Sequence, residues 1–258
     1  CRRIVSSEGD GLPGLIVDQY EDRLVVQALT QGIYRRLPLI TSALANLLRP
    51  KAIYLKNDSP ILEREGLPFE KILLYGTWNE PWQVNLDGLN LQIRIESSQK
   101  TGLFLDQTAN RRMLVGMVQG KSVLDMFCYV GLWSLSAGYR GAAEVLGVDV
   151  SASAVEQASQ NARLNGLEEI CKFEKSDAFD ALQRFHDQEL KFDVVILDPP
   201  AFVKTKTKLA PALKGYEKLN RMALPLLKSP GILVTCSCSY QLFNEVFLDV
   251  LRQAAAKS

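Results

Sequence analysis

The chain of 258 residues holds no run of eighteen apolar residues, so no segment is long enough to span a bilayer as a helix. It does not open on a basic segment followed by an apolar stretch, so nothing reads as a secretory leader. Charge of neither sign is in excess: 30 Lys and Arg stand against 29 Asp and Glu, a formal net charge of +1. A globally basic coat protein is thereby excluded, and any nucleic-acid surface has to be a local patch. The single histidine, His186, sits in a charged helical stretch and reads as a surface residue. The five cysteines (Cys1, Cys128, Cys171, Cys236 and Cys238) are odd in number and irregular in spacing. They suit neither a disulfide framework nor a zinc site, so a reducing, cytoplasmic setting without metal is the expectation. At 47% hydrophobic and 23% charged residues, the chain can bury a sizeable core and is not disordered overall. It begins at Cys1 without a methionine, which reads as a fragment or a processed chain.

Two textures divide the sequence. Short β-like runs fill the first hundred residues: Leu15–Asp18 after a Gly-rich turn, Leu24–Leu29, Ala52–Lys56 and Lys71–Tyr75, with a helical spacing over Ile33–Leu48. Leu89–Glu96 pairs with Gln83–Leu86 across Asp87-Gly88, a dipeptide favoured in tight hairpins. A small α+β domain over residues 1–98 is predicted. From Lys121 the rhythm becomes strand, loop, helix. Strands are predicted at Ser122–Phe127, Val145–Val150, Cys171–Lys175, Phe192–Leu197 and Gly231–Thr235. Helices are predicted at Ser151–Asn165, Ala178–Glu189 and Pro211–Leu227. Buried strands alternating with amphipathic helices imply an α/β domain over 99–258, with a mostly parallel sheet covered on both faces. Right-handed crossovers put its ligand crevice at the carboxyl ends of the strands.

The first βα turn runs Asp125-Met126-Phe127-Cys128-Tyr129-Val130-Gly131. A dehydrogenase needs three glycines there to bring backbone against a pyrophosphate, and only Gly131 is present. A lone glycine after an acidic strand end suits a bulkier cofactor without phosphates. The second strand ends in Asp149, followed by Ser151 as a helix N-cap, and an acid there can accept from ribose hydroxyls. The third leads to Asp177-Ala178, where an adenine edge would lie, and the fourth to Asp198-Pro199-Pro200. Asp149 and Asp177 also read as simple helix caps, and Asp198 as a strand terminator.

Taken together, Asp125-x-Phe127-x-Tyr129-x-Gly131, Asp198-Pro199-Pro200-Ala201-Phe202, Gly215-Tyr216 with Asn220, and Ser237-Cys238-Ser239 resemble one known family. So do the Gly9–Asp18 stretch and Lys100-Thr101-Gly102-x-Phe104-x-Asp106-Gln107. The family is the S-adenosylmethionine-dependent large-subunit ribosomal RNA methyltransferase I family, whose members make 5-methylcytosine. The resemblance implies a Rossmann-like class I methyltransferase fold. It implies S-adenosylmethionine held by Asp125, Phe127, Tyr129, Gly131, Asp149, Ser151, Asp177, Ala178 and Asp198, with Lys100, Thr101, Gly102 and Asp106 closing the methionine end. Family members carry a PUA-type RNA-binding domain ahead of the stretch this sequence matches and two further sheet strands beyond it, and both are expected to be absent from this sequence. The edge beyond the fifth strand is then expected to be bare or covered only by a helix at Leu242–Leu251.

Methylating carbon 5 of cytosine requires a thiolate that adds to carbon 6 and makes carbon 5 nucleophilic. Cys238, at the end of the fifth strand and at the family's nucleophile position, is the expected thiolate. Cys236, one pleat earlier on the same face, is expected to be packed, as are Cys128 and Cys171. Many related cytosine methyltransferases carry a cysteine just after Pro200, where this chain has Ala201. Asp198 is expected to grip the base at its Watson–Crick edge, with Pro199, Pro200 and Phe202 beside the substrate. Lys204, Lys206 and Lys208 read either as contacts to RNA phosphates or as a solvated charge run. The expected partner is ribosomal RNA, with no membrane, and a homodimer is left open. Two other readings survive: an RNA base-nitrogen methyltransferase acting on guanine or adenine, and a non-catalytic cofactor- and RNA-binding module.

Overall fold

A computed structural model describes residues 1–96, 98–114, 116–202, 209–239 and 242–258. Lys204, Lys206 and Lys208 lie outside the described residues. The chain forms two compact units, Cys1–Thr108 and Ala109–Ser258, which places Lys100, Thr101, Gly102 and Asp106 in the first. Among the described residues no helix is long and apolar enough to cross a membrane.

The first unit carries a five-stranded sheet in sequential order, β1 (Arg2–Ser6), β2 (Leu15–Tyr20), β3 (Arg23–Ala28), β4 (Ala52–Asn57) and β5 (Glu70–Gly76). Only β3 and β4 pair in parallel, so a crossover must join them. It contains α1 (Gln31–Tyr34) and α2 (Leu37–Leu48), broken at Arg35-Arg36 where the sequence predicts one helix over Ile33–Leu48. Leu37 and Leu44 of α2 pack on Val17, Leu24, Val26, Ile53 and Leu55 of the sheet. The short α3 (Ile61–Glu65) follows β4. β6 (Trp82–Leu86) and β7 (Leu89–Ile93) form the predicted hairpin, with Leu86 opposite Leu89 and both Asp87 and Gly88 at positive φ.

The segment from Ser98 to Leu103 is pinned from within this unit. Lys56 is fully buried, and its ammonium donates to the carbonyls of Ser98 and Lys100 (2.6 Å each) and to Asp58 (2.7 Å). The Thr101 hydroxyl donates to the buried Asp18, which also holds Arg3 through paired bonds of 2.9 and 2.8 Å. The Leu103 amide donates to the Tyr20 hydroxyl at 3.0 Å.

After α4 (Thr108–Met113), the second unit is built on β8 (Ser122–Met126), β9 (Glu144–Asp149), β10 (Cys171–Lys175), β11 (Phe192–Leu197) and β12 (Leu227–Thr235). All pair in parallel, in the order β10-β9-β8-β11-β12. The strand order therefore reverses between β8 and β11, which opens a crevice at their carboxyl ends. The helices are α5 (Leu132–Tyr139), α6 (Ala152–Leu164), α7 (Ala178–Asp187), α8 (Leu209–Ala223) and α9 (Asn244–Ala256). Leu124 and Met126 of β8 and Val195 and Leu197 of β11 pack with Leu182 and Phe185 of α7 and Leu219 and Ala223 of α8. Asp125, between Leu124 and Met126, points to the opposite face and meets Ser134 of α5. At the other end of the strands, Asp193 accepts from Ser122 and Lys228 (2.8–2.9 Å), which ties β8, β11 and β12 together and holds its carboxyl well below the usual carboxylate range.

Gly131, at φ 86°, opens α5, and a Cβ there would stand 3.0 Å from Ala158 Cβ and 3.1 Å from the Phe173 ring. Gly131→Ala is accordingly expected to cost about 2 kcal/mol in denaturant unfolding, from the left-handed backbone and the crowding together.

Candidate active site

Three acidic side chains meet at the carboxyl ends of the central strands. Asp125 is fully buried, and its Oδ2 accepts from the Ser134 amide at 2.9 Å and the Ser134 hydroxyl at 2.5 Å. Its Oδ1 is buried and accepts no hydrogen bond among the described residues. Burial, with the charges of Asp198 and Asp149 adding to it, pushes the Asp125 carboxyl up to about 7. A buried carboxyl oxygen with no donor among the described residues, beside two further carboxylates, fits a cationic ligand group, which would favour its ionised form.

The turn after β8 is held in a strained path. Phe127 (φ 65°) and Tyr129 (φ 50°) are left-handed without being glycine, and Gly131 follows at 86°. Two bonds fix this path to β9: the Cys128 amide donates to the Val148 carbonyl at 3.0 Å, and the Tyr129 amide to Asp149 Oδ2 at 2.9 Å. Asp149 Oδ1 accepts from the Ser151 amide (2.9 Å), while the Ser151 hydroxyl caps α6 by accepting from Ala154. Asp149 thus supports the turn, and the cap belongs to Ser151. Asp177 does cap its helix, accepting from the Phe179 amide at 2.8 Å and the Asp180 amide at 3.3 Å, with Ala178 buried beside it.

Across the switch point, Asp198 follows β11, and its Oδ2 accepts from the Trp133 indole Nε1 at 2.9 Å. Pro199 is buried and Pro200 exposed. β12 ends at Thr235, so Cys236 and Cys238 lie beyond the strand and the pleat does not decide where they face. The Cys236 amide still pairs with the Leu197 carbonyl at 2.8 Å, and the exposed Cys238 thiol donates to the Pro199 carbonyl at 3.3 Å. The serines on either side of Cys238 are tied to the buried Tyr216 hydroxyl, Ser237 at 3.1 Å and Ser239 at 3.0 Å. Phe202 packs on Tyr216 with ring centroids 4.6 Å apart, at a place where Gly215 lets the ring approach. Cys128 and Cys171 are buried, and burial raises both thiols, Cys171 to about 12. They are inert at neutral pH.

Residues 70–257 match the family model of S-adenosylmethionine-dependent methyltransferases. The chain belongs to this methyltransferase family. Among curated relatives it is 38% identical over 255 residues to "Ribosomal RNA large subunit methyltransferase I" of Shewanella amazonensis, and 39% identical over 256 residues to the protein of that name from Aeromonas hydrophila. Each match takes in 98% of this chain, and the chain spans 64% of the length of these relatives. Among solved structures, SMU.776, described as a methyltransferase complexed with SAH, superposes with a TM-score of 0.85 at 22% identity. That match covers 99% of this chain and 66% of the other, and it shows a shared methyltransferase fold.

Within the second unit, the crevice brings together Asp125, Phe127, Tyr129, Gly131, Asp149 and Ser151, with Asp198 and Cys238 along the β11–β12 side. Sequence reasoning missed Trp133 and Ser134, the consecutive residues that hold Asp198 and Asp125. Their proximity to Gly131 was the one available signal, and it does not say which carboxylate each would meet.

Proposed function

We propose that the chain is part of an enzyme that methylates carbon 5 of a cytosine in large-subunit ribosomal RNA through a covalent adduct on Cys238. The observation that carries this reading is the Cys238 thiol at 3.3 Å from the Pro199 carbonyl, which sets a thiol beside the Asp198-Pro199-Pro200 strap. Family membership and the names of the relatives support the cofactor and the RNA class. Asp125 and the turn through Phe127, Tyr129 and Gly131 hold the cationic methionine end, Asp149 and Ser151 the ribose, and Asp177 with Ala178 the adenine edge. Bound S-adenosylmethionine supplies an electrophilic methyl group.

Asp198 accepts from the base while Pro199 and Pro200 keep its backbone rigid, and Phe202 anchors the strap on Tyr216. The Cys238 thiolate adds to carbon 6, and the electron pair of the C5–C6 double bond makes carbon 5 nucleophilic. Loss of the carbon 5 proton after methylation expels the thiolate and restores the double bond. The first unit and Lys204 contact RNA outside the reacting base.

The test combines labelled S-adenosylmethionine with under-modified ribosomal RNA, followed by identification of the modified nucleoside. 5-Methylcytidine is the expected product, and a base-nitrogen product would replace the reading. Calorimetry with S-adenosylhomocysteine is expected to show binding that Asp149→Ala weakens at least about tenfold, the loss of hydrogen bonds to a charged group.

A further inference from the structure

We infer that Trp133 is a positioning residue that sets the Asp198 carboxylate as an acceptor for the exocyclic amino group of the target base. This deepens the proposed function, since it rests on Asp198 as the group that meets the base.

The geometry comes from one turn of helix. Gly131 ends the cofactor turn in the left-handed region, and α5 begins at Leu132. Its next two residues reach neighbouring strands. Ser134 donates backbone and hydroxyl to Asp125 at the end of β8, and Trp133 donates its indole to Asp198 just past β11. β8 and β11 are adjacent, with Met126 opposite Leu197. The two carboxylates are close enough that the Asp198 charge raises Asp125. Such a pair repels, and the indole donor offsets part of that repulsion.

Trp133 is only 4% exposed, so its ring is fixed by packing and its N–H has a fixed direction. An indole N–H donates and never accepts, so it favours the ionised, acceptor form of Asp198 and orients the Oδ2 that it meets. A carboxylate offers about four lone-pair sites over its two oxygens, so a group oriented through Oδ2 can accept from the indole and from a ligand at once. It therefore favours a base edge that presents an amino group, as cytosine does, over one that presents a carbonyl, as uracil does. Phenylalanine at 133 would fill much of the same space and supply no donor.

The experiment follows the Trp133 indole N–H resonance in the ¹⁵N-labelled chain with S-adenosylhomocysteine bound, assigned by its loss in Trp133→Phe. Asp198→Asn is expected to move it upfield. Cytidine 5′-monophosphate is expected to shift it and uridine 5′-monophosphate to leave it in place. On under-modified ribosomal RNA, Trp133→Phe is expected to lower kcat about tenfold or more, with KM for S-adenosylmethionine within about twofold, the cost of a lost charged hydrogen bond. Trp133→Phe and Asp198→Asn should be strongly non-additive. Equal response to the two nucleotides, no response to either, or an additive double variant would overturn the inference. A wild type that shows the cytidine-selective shift and yet methylates no RNA would defeat the methyltransferase reading and leave this inference standing.

Discussion

Cys238→Ala is expected to lower RNA methylation by about 10³-fold or more, the scale seen when a covalent nucleophile is removed. Binding of S-adenosylhomocysteine should stay near wild type, because this thiol donates to the Pro199 carbonyl, a group not assigned to the cofactor. Cys236→Ala should keep substantial activity, its backbone pairing with Leu197 being independent of its side chain. Cys128 and Cys171 cannot substitute, since burial raises both thiols and leaves them protonated at neutral pH. RNA containing 5-fluorocytosine should trap the wild type covalently, as fluorine cannot leave carbon 5 as a proton does, and should fail to trap Cys238→Ala. Near-normal methylation by Cys238→Ala would discard the covalent mechanism in favour of base-nitrogen methylation, which needs no thiol.

Asp125 is expected to make both stability and cofactor affinity depend on pH, in opposite directions. Its carboxyl titrates near 3.8 when exposed and is raised to about 7 in the fold, chiefly by burial. Its contribution to stability is therefore fully present below about pH 4 and is lost as pH rises through about 7, where the buried charge must form. Without ligand, the wild type should lose stability over that window relative to Asp125→Asn, whose profile should lack this component in denaturant unfolding. A bound cationic group favours the ionised form, so S-adenosylhomocysteine affinity should rise as pH passes through about 7, with release of a proton. Calorimetry in buffers of different ionisation enthalpy reads that proton directly. Asp125→Asn should bind more weakly and release none, and a pH-independent wild-type affinity would remove Asp125 from the cofactor site.

Much of the fold was legible because its central strands are buried on both faces and read as short apolar runs, such as Val123-Leu124 in β8 and Val194-Val195-Ile196-Leu197 in β11. What was missed had weak local signals. α5 has no polar stripe, since Leu132 to Gly138 are all buried, and without a polar face there is little periodicity to read. β1, at the sheet edge, begins on two exposed arginines. β12 starts at the half-buried Leu227, four residues before the predicted Gly231, and the next five residues, through Ile232, are exposed. α9 packs on α8 through Val250 and Phe247 near Tyr216, while β12 is the outermost strand of the sheet among the described residues.

By itself the sequence determined the class of the second unit, its crevice and the family, because strand-loop-helix rhythm and acidic strand ends are local features. It could also nominate Asp125, Asp149, Asp177, Asp198 and Cys238, each at the end of a strand or just beyond it. Only the tertiary structure decided what each acid holds. It gave Asp177 a helix cap, Asp149 the Tyr129 amide, and Asp198 the Trp133 indole, 65 residues away in sequence. It also set Cys238 against Pro199 after the strand had ended, where no pleat dictates direction. Alternation stops with the ladder. Beyond it a side chain's direction depends on contacts between distant segments, here the serines beside Cys238 bound to the buried Tyr216 of α8.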